Sequence, residues 1–191
     1  MSFLIVGLGI FSVVHLYAML LPTPRDALKA HMGENAYKGL FSIVAVVGLA
    51  LMIWGYRQLS AGPEAGNFIY EPSGGMRHVT LLLVLLGFIS VSAAHGRGYL
   101  KSWLRHPLSI GIALWSFGHL LSNGRVYAVL MFGTFLVLAL LDILLSTLRG
   151  KRPMHQPELR SDVIAVIVGM VIYVVFLFGF HPYVLNLPVV R

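Results

Sequence analysis

Six long apolar stretches constrain this chain more than any other feature: Phe3–Leu21, Leu40–Leu59, His78–His95, Leu108–Leu121, Val126–Leu148 and Asp162–His181. A bilayer core is crossed by about 20 helical residues, with a usual range of ~17–25. Five stretches reach that length and the fourth falls short. That fourth stretch either begins inside the membrane or continues back through Trp103 with a kink at Pro107. Inside lipid each segment must satisfy its own backbone hydrogen bonds, which selects helices or a closed barrel. The apolar runs are too continuous for the alternation of a barrel strand. Composition agrees: 58% of residues are hydrophobic, 11% are charged and the mean hydropathy is +0.83, whereas a soluble domain carries about 25% charged residues. The expected fold is all-α, a polytopic transmembrane bundle of about six helices forming one integral domain over residues 1–191.

The formal charge of +7 implies no nucleic-acid partner, because the basic residues sit in short loops where membrane topology accounts for them. With the N-terminus outside, the inner loops hold Arg25, Lys29, Lys38, Arg97, Lys101, Arg105, Arg149, Lys151, Arg152 and Arg160. Arg57, Arg77, Arg125 and Arg191 remain outside. The asymmetry predicts that both termini are external. Phe3–Leu21 lacks a basic leader and a small-residue cleavage site, so it reads as a retained helix. Pro22 and Pro24 end the first helix and Pro182 the last. Ser60–Met76, with its Gly and Pro residues, reads as an irregular connection, and Arg25–Lys38 as a short interfacial amphipathic helix. The absence of cysteine excludes disulfides, thiolate ligands, thiol nucleophiles and covalent C-x-x-C-H haem attachment.

Ionisable groups in lipid are costly and usually functional. His15 lies in the first stretch, flanked for a turn on either side by apolar residues apart from Ser12. His119 lies deep in the fourth. In a chain without cysteine, histidine is the best available ligand for a buried iron or haem. Either histidine alone reads more simply as one hydrogen bond to a neighbouring helix; two deep histidines on separate helices point to a shared ligand. His15 and Asp142 each stand six residues from an inner helix end, about 9 Å at 1.5 Å per residue. At that matched depth Asp142 is a candidate to orient the His15 imidazole through its second nitrogen; the plainer reading has Asp142 snorkelling or pairing with an arginine. On these spans His119 sits roughly 5–10 Å nearer the outer face than His15, which a tilted fourth helix would offset; His95 and His106 are the alternative ligands.

Gly111 and Gly118 are seven residues apart and share a smooth helix face, suited to a close helix or a flat cofactor. Ser116, one turn before His119, is placed to line the same pocket. Asn123-Gly124 suits a helix C-terminal cap. His106, in Arg105-His106-Pro107, meets headgroups or an anionic group, with Pro107 favourable in a first helical turn. His95 and His181 stand at helix ends and are expected to face headgroups. His31, His78 and His155 read as loop or boundary residues. Arg25 is expected to pair with Glu34 beside Tyr37 at the inner surface. Trp54, Trp103 and Trp115 read as packing or belt residues. No Walker loop, G-x-S-x-G, H-E-x-x-H or glycosidase-type carboxylate pair occurs.

The residues His15, Arg25, Leu28, Gly33-Glu34, Tyr37 and Phe41-Ser42, followed by RHPLSIGIALWSFGHLLSNG over 105–124 and the apolar helix with Asp142, resemble the NnrU family across most of the chain. That family is associated with bacterial denitrification and nitric oxide metabolism. It is similar in turn to the plant 15-cis-ζ-carotene isomerases, membrane proteins with a non-covalent haem b whose redox-dependent ligation drives cis–trans isomerisation. Their arginine-histidine-proline motif and downstream haem histidine are spaced as His106 and His119 are here. The resemblance therefore implies haem b, with His119 as one axial ligand and His15 as the other. The surrounding site residues would be Ser116, Asp142, Arg25 and His106. The isomerases carry a cysteine where this chain has Ser116, so a soft-ligand switch at that position is absent. The implied setting is the bacterial inner membrane, with the lipid bilayer, a hydrophobic polyene or nitrogen-oxide respiratory proteins as partners.

Two other classes stay open. Arg-His-Pro also occurs in membrane isoprenylcysteine methyltransferases, where it helps bind S-adenosylmethionine, although the acidic residues expected after that motif are missing here. A non-enzymatic assembly factor or transporter for nitrogen-oxide respiration is the third reading.

Overall fold

The computed structural model describes residues 1–187; Arg191, counted above among the outer basic residues, lies outside them. Among the described residues the chain is helical, with no strand beyond an isolated bridge between Phe68 and Arg125. The helices are α1 (Ser2–Leu20), α2 (Pro22–Met32), α3 (Glu34–Ala61), α4 (Met76–Ala93), α5 (Tyr99–Leu104), α6 (Pro107–Ser122), α7 (Val126–Leu148) and α8 (Leu159–Val175). A π-helical segment, Phe176–Val184, continues α8. Five of these helices are long and apolar enough to cross a membrane: α1, α3, α4, α7 and α8 with its continuation. The shorter α6 is also apolar. Many large side chains point outward, among them Val13, Ile43, Val46, Leu82, Val137 and Val171. Helices that are apolar all round and unburied on so much of their surface are the mark of a membrane protein.

Within the span read as one integral domain, two compact units are distinguished, Met1–Asn67 and Phe68–Arg191. In the first, α1 packs on α3, and α2 leans on both. Small residues permit the close approach: a Cβ on Gly7 would stand 2.6 Å from the Gly48 carbonyl oxygen. Leu4 and Met52 fill the rest of the seam and are fully buried. Pro22 does not simply stop α1; it opens α2 at a position where its missing N–H is harmless. Gly33, at φ +85°, separates α2 from α3.

In the second unit α4 is central. It packs against α6 on one side and α8 on the other, and α7 packs on the far side of α6. The smooth face of α6 receives α4 rather than a cofactor: a Cβ on Gly111 would lie 2.6 Å from the Gly87 carbonyl oxygen, and one on Gly118 would lie 3.2 Å from Leu83 Cβ. Two buried hydroxyls fasten the pair. Thr80 donates to the Gly118 carbonyl at 2.7 Å and Ser90 to that of Pro107 at 2.7 Å.

Of the expected helix ends, one is corrected and one holds. Pro182 does not end the last helix, which runs on to Val184 in wide π turns. A proline clashes with the carbonyl four residues back in an α-helix, and the i→i+5 pattern relieves that clash. Asn123 does cap the C-terminal end of α6, as its position suggested, in an extended conformation at φ −146°. The chain beyond it is held by the segment before α4: Ile69 N–H donates to the Gly124 carbonyl at 2.8 Å, and the Tyr70 hydroxyl donates to the Leu120 carbonyl.

Candidate functional site

The Arg-His-Pro motif makes the break between α5 and α6. His106 N–H donates to the Leu104 carbonyl at 2.7 Å, closing a three-residue turn around Arg105 at φ +62°, ψ −46°. This γ-turn is rare and strained. Pro107 then starts α6, so the fourth span does not continue back through Trp103. The His106 imidazole Nε2 lies 3.1 Å from the Thr147 hydroxyl on α7.

Between α6 and the C-terminal helix the second unit opens a cleft. Both helices lean on α4, and among the described residues they do not pack on each other. The cleft is lined by Leu81, Val84 and Phe88 of α4, Trp115 and His119 of α6, and Phe176, Leu177 and His181 of the C-terminal helix, with Thr80 and Tyr173 adding hydroxyls. About 40 Å³ of it is open to the centres of water-sized guests, room for a few waters where one needs ~10–15 Å³ by that measure.

The His119 ring stacks on Phe132 at 4.3 Å and lies 5.1 Å from Trp115. Its Nδ1 is 2.8 Å from the Trp115 carbonyl oxygen, one turn back. A carbonyl accepts only, so Nδ1 carries a proton, and in the neutral ring the lone pair lies on Nε2. His181 repeats the arrangement, with Nδ1 2.7 Å from the Phe176 carbonyl oxygen. The expectation that His181 faces headgroups is corrected: the π turn brings it onto the cleft wall opposite His119, with ring centroids 6.2 Å apart and planes within 7°. Helical periodicity through residue 181 could not show this, because the π turn changes the register.

The other candidates are distributed elsewhere. His15, in the first unit, has Nδ1 2.7 Å from the Phe11 carbonyl and rests between Phe11 (3.9 Å, stacked) and Phe41 (5.1 Å, edge-on). Asp142 is held within the second unit by hydroxyls, accepting from Ser109 at 2.5 Å and Ser146 at 3.5 Å. Ser116 is fully buried, its hydroxyl has no partner among the described residues, and it does not line the cleft. It is seven residues from Ser109 and so shares the α7-facing side of α6.

Arg25 pairs with Asp26 at 2.9 Å and donates to the Ala18 carbonyl, while Glu34 pairs with Lys38 at 2.7 Å; the expected Arg25–Glu34 pair is absent. The hydrogen bond from Asp26 holds the Arg25 guanidinium above its ordinary pKa despite partial desolvation. Glu34 instead takes the i,i+4 partner that its helix supplies. Tyr37 is buried, with Lys29 5.5 Å over its ring. His95 is exposed at the end of α4.

No group of three or more His, Cys, Asp or Glu side chains among the described residues is arranged to hold a metal ion. No curated protein and no solved structure matches the chain. A family model described as NnrU protein matches residues 3–189.

Proposed function

The chain belongs to the NnrU family, and from that premise we propose that it is a membrane haem b protein in which His119 ligates the iron. The carrying observation is the His119 imidazole. Its Nδ1 is engaged by the Trp115 carbonyl and its ring borders an apolar cleft. A backbone acceptor on the far ring nitrogen fixes the tautomer and raises the basicity of a ligating histidine. Neutral imidazole suits iron, and the apolar walls would exclude water and shelter a hydrophobic group. The donor set fits haem. His119 would hold the group, with the apolar residues of the half-open cleft against it.

When bound, haem would supply one-electron redox change. The chain's own contribution is to hold the imidazole, keep carboxylates out of the cleft and line it with Leu81, Val84, Phe88 and Leu177. Those walls favour an apolar partner, such as the polyene of a redox-dependent cis–trans isomerisation. The family's link to nitric oxide metabolism makes nitrogen-oxide respiratory proteins the alternative partners. The proposed setting is the bacterial inner membrane, with six spans including α6 and both termini outside.

The test is the visible spectrum of the detergent-purified full chain from haem-sufficient cells, oxidised and then reduced. A Soret band with sharpened α and β bands on reduction, lost in His119→Ala, supports the reading. A colourless wild-type protein that takes up no added hemin overturns it and returns S-adenosylmethionine binding and transport to the front.

A further inference from the structure

We propose that His181 is the second imidazole of this site, so that His119 and His181 grip one iron between the two walls of the cleft. The inference rests on the haem reading above and adds a ligand that the sequence motifs do not contain.

Spacing is the first argument. Two imidazoles sharing a metal through bonds of about 2.0–2.1 Å place their ring centres roughly 5 Å apart in a tetrahedral arrangement and about 6.5 Å apart when directly opposed. The observed 6.2 Å, with ring planes within 7° of parallel, falls inside that span, towards its longer end. Opposed ligands leave the four positions around the metal's waist to other donors. Among the described residues no carboxylate or further histidine lines the cleft to fill them. Four donors from a planar macrocycle complete such a site, whereas a bare ion would be left short of ligands.

Ring chemistry is the second argument. Each histidine has its Nδ1 against a carbonyl of its own helix, Trp115 at 2.8 Å and Phe176 at 2.7 Å. With Nδ1 turned to a carbonyl, the lone pair of either neutral ring falls on Nε2. Neither Nε2 makes a hydrogen bond to a described residue, nor does the Tyr173 hydroxyl beside them. Polar atoms bordering an apolar cleft without partners cost free energy, which a bound metal would offset. Neutral nitrogen donors select a borderline transition metal over calcium or magnesium, which need oxygen ligands.

Backbone form is the third argument. His181 sits in the middle of a nine-residue π-helical segment, Phe176–Val184. Runs of i→i+5 bonding are rare and concentrate at functional sites. Here the wide turn supplies the Phe176 carbonyl, five residues back, as the Nδ1 acceptor.

The experiment titrates hemin into the detergent-solubilised full chain, purified from haem-starved cells, and reads low-temperature electron paramagnetic resonance and near-infrared magnetic circular dichroism of the ferric form. Wild type should give a low-spin, bis-imidazole signal. His181→Ala should lose it to a high-spin signal and regain it with added imidazole. His181→Met should shift the near-infrared band to the imidazole–thioether position. His15→Ala should leave the signal unchanged. A low-spin signal that survives His181→Ala and collapses in His15→Ala overturns the inference while the haem reading stands. A five-coordinate wild type does the same. Wild type that binds no hemin overturns both. A His181→Ala protein that fails to fold leaves the decision to the band position of His181→Met, where an unmoved bis-imidazole band overturns the inference.

Discussion

Gly98 and Asp162 occupy one another's space: the Asp162 carboxylate stands where any side chain at position 98 would begin. From there it accepts from the N–H groups of Tyr99 at 2.8 Å and Leu100 at 3.0 Å, capping α5 from α8. A carboxylate at a helix N-terminus satisfies orphan donors and meets the positive end of the dipole. Gly98→Ala should therefore expel the carboxylate and destabilise the second unit by about 1–3 kcal/mol, the usual cost of stranding buried polar groups. Asp162→Asn, which keeps an acceptor, should lose less. Thermal unfolding in detergent, followed by circular dichroism, would rank the two; equal stability of Gly98→Ala and wild type would refute the cap.

Arg105 carries its strain for the sake of the turn into α6. A non-glycine residue in such a backbone region costs on the order of 1–3 kcal/mol, and glycine escapes most of it. Arg105→Gly should raise the unfolding temperature, whereas Arg105→Val should lower it. If glycine destabilises, then the arginine side chain and not the backbone governs this turn.

Gly87 and Gly111 let α4 and α6 meet backbone to backbone. Gly111→Leu would push Gly87 and Val91 away at a cost of about 1–3 kcal/mol or more for overpacking. Because α4 is the floor of the cleft, the change should also disturb Trp115. The expected readouts are a lower unfolding temperature and a shifted tryptophan emission. A spectrum and stability like those of wild type would mean that the helices do not meet here.

Ser109 and Asp142 join α6 to α7. Interhelical hydrogen bonds inside membranes average about 0.6 kcal/mol and reach ~1.7. A double-mutant cycle on Ser109→Ala and Asp142→Asn, read by unfolding in mixed detergent, should give a coupling in that range. Zero coupling would show that Asp142 has other partners in solution.

Thr80 should matter through its bond to the Gly118 carbonyl, one residue from His119. Thr80→Val keeps the shape and removes the donor. It should cost about 0.6–1.7 kcal/mol, whereas Thr80→Ser should cost less. If the two variants unfold alike, the methyl packing and not the hydroxyl is what counts at this position.

Much of this molecule was determined by sequence alone. Continuous apolar runs dictate helices wherever water cannot serve the backbone, and Val126–Leu148 emerged with the bounds read from its hydropathy. The weight placed on His119 likewise followed from an ionisable group deep in an apolar run. Facing is another matter. Lipid tails and protein interior are equally apolar, so a spanning helix carries little amphipathic signal to say which side meets protein. Only the tertiary structure could show that Gly111 meets Gly87, that Asp142 is held by Ser109, and that Ser116 turns towards α7 away from the cleft. Pairing Arg25 with Asp26 and Glu34 with Lys38 was likewise decided by local helix geometry, after Gly33 had broken the chain between them. His181 is the clearest case. A π turn changes the angular register that sequence periodicity assumes, and it carries a residue expected to face headgroups onto the wall opposite His119.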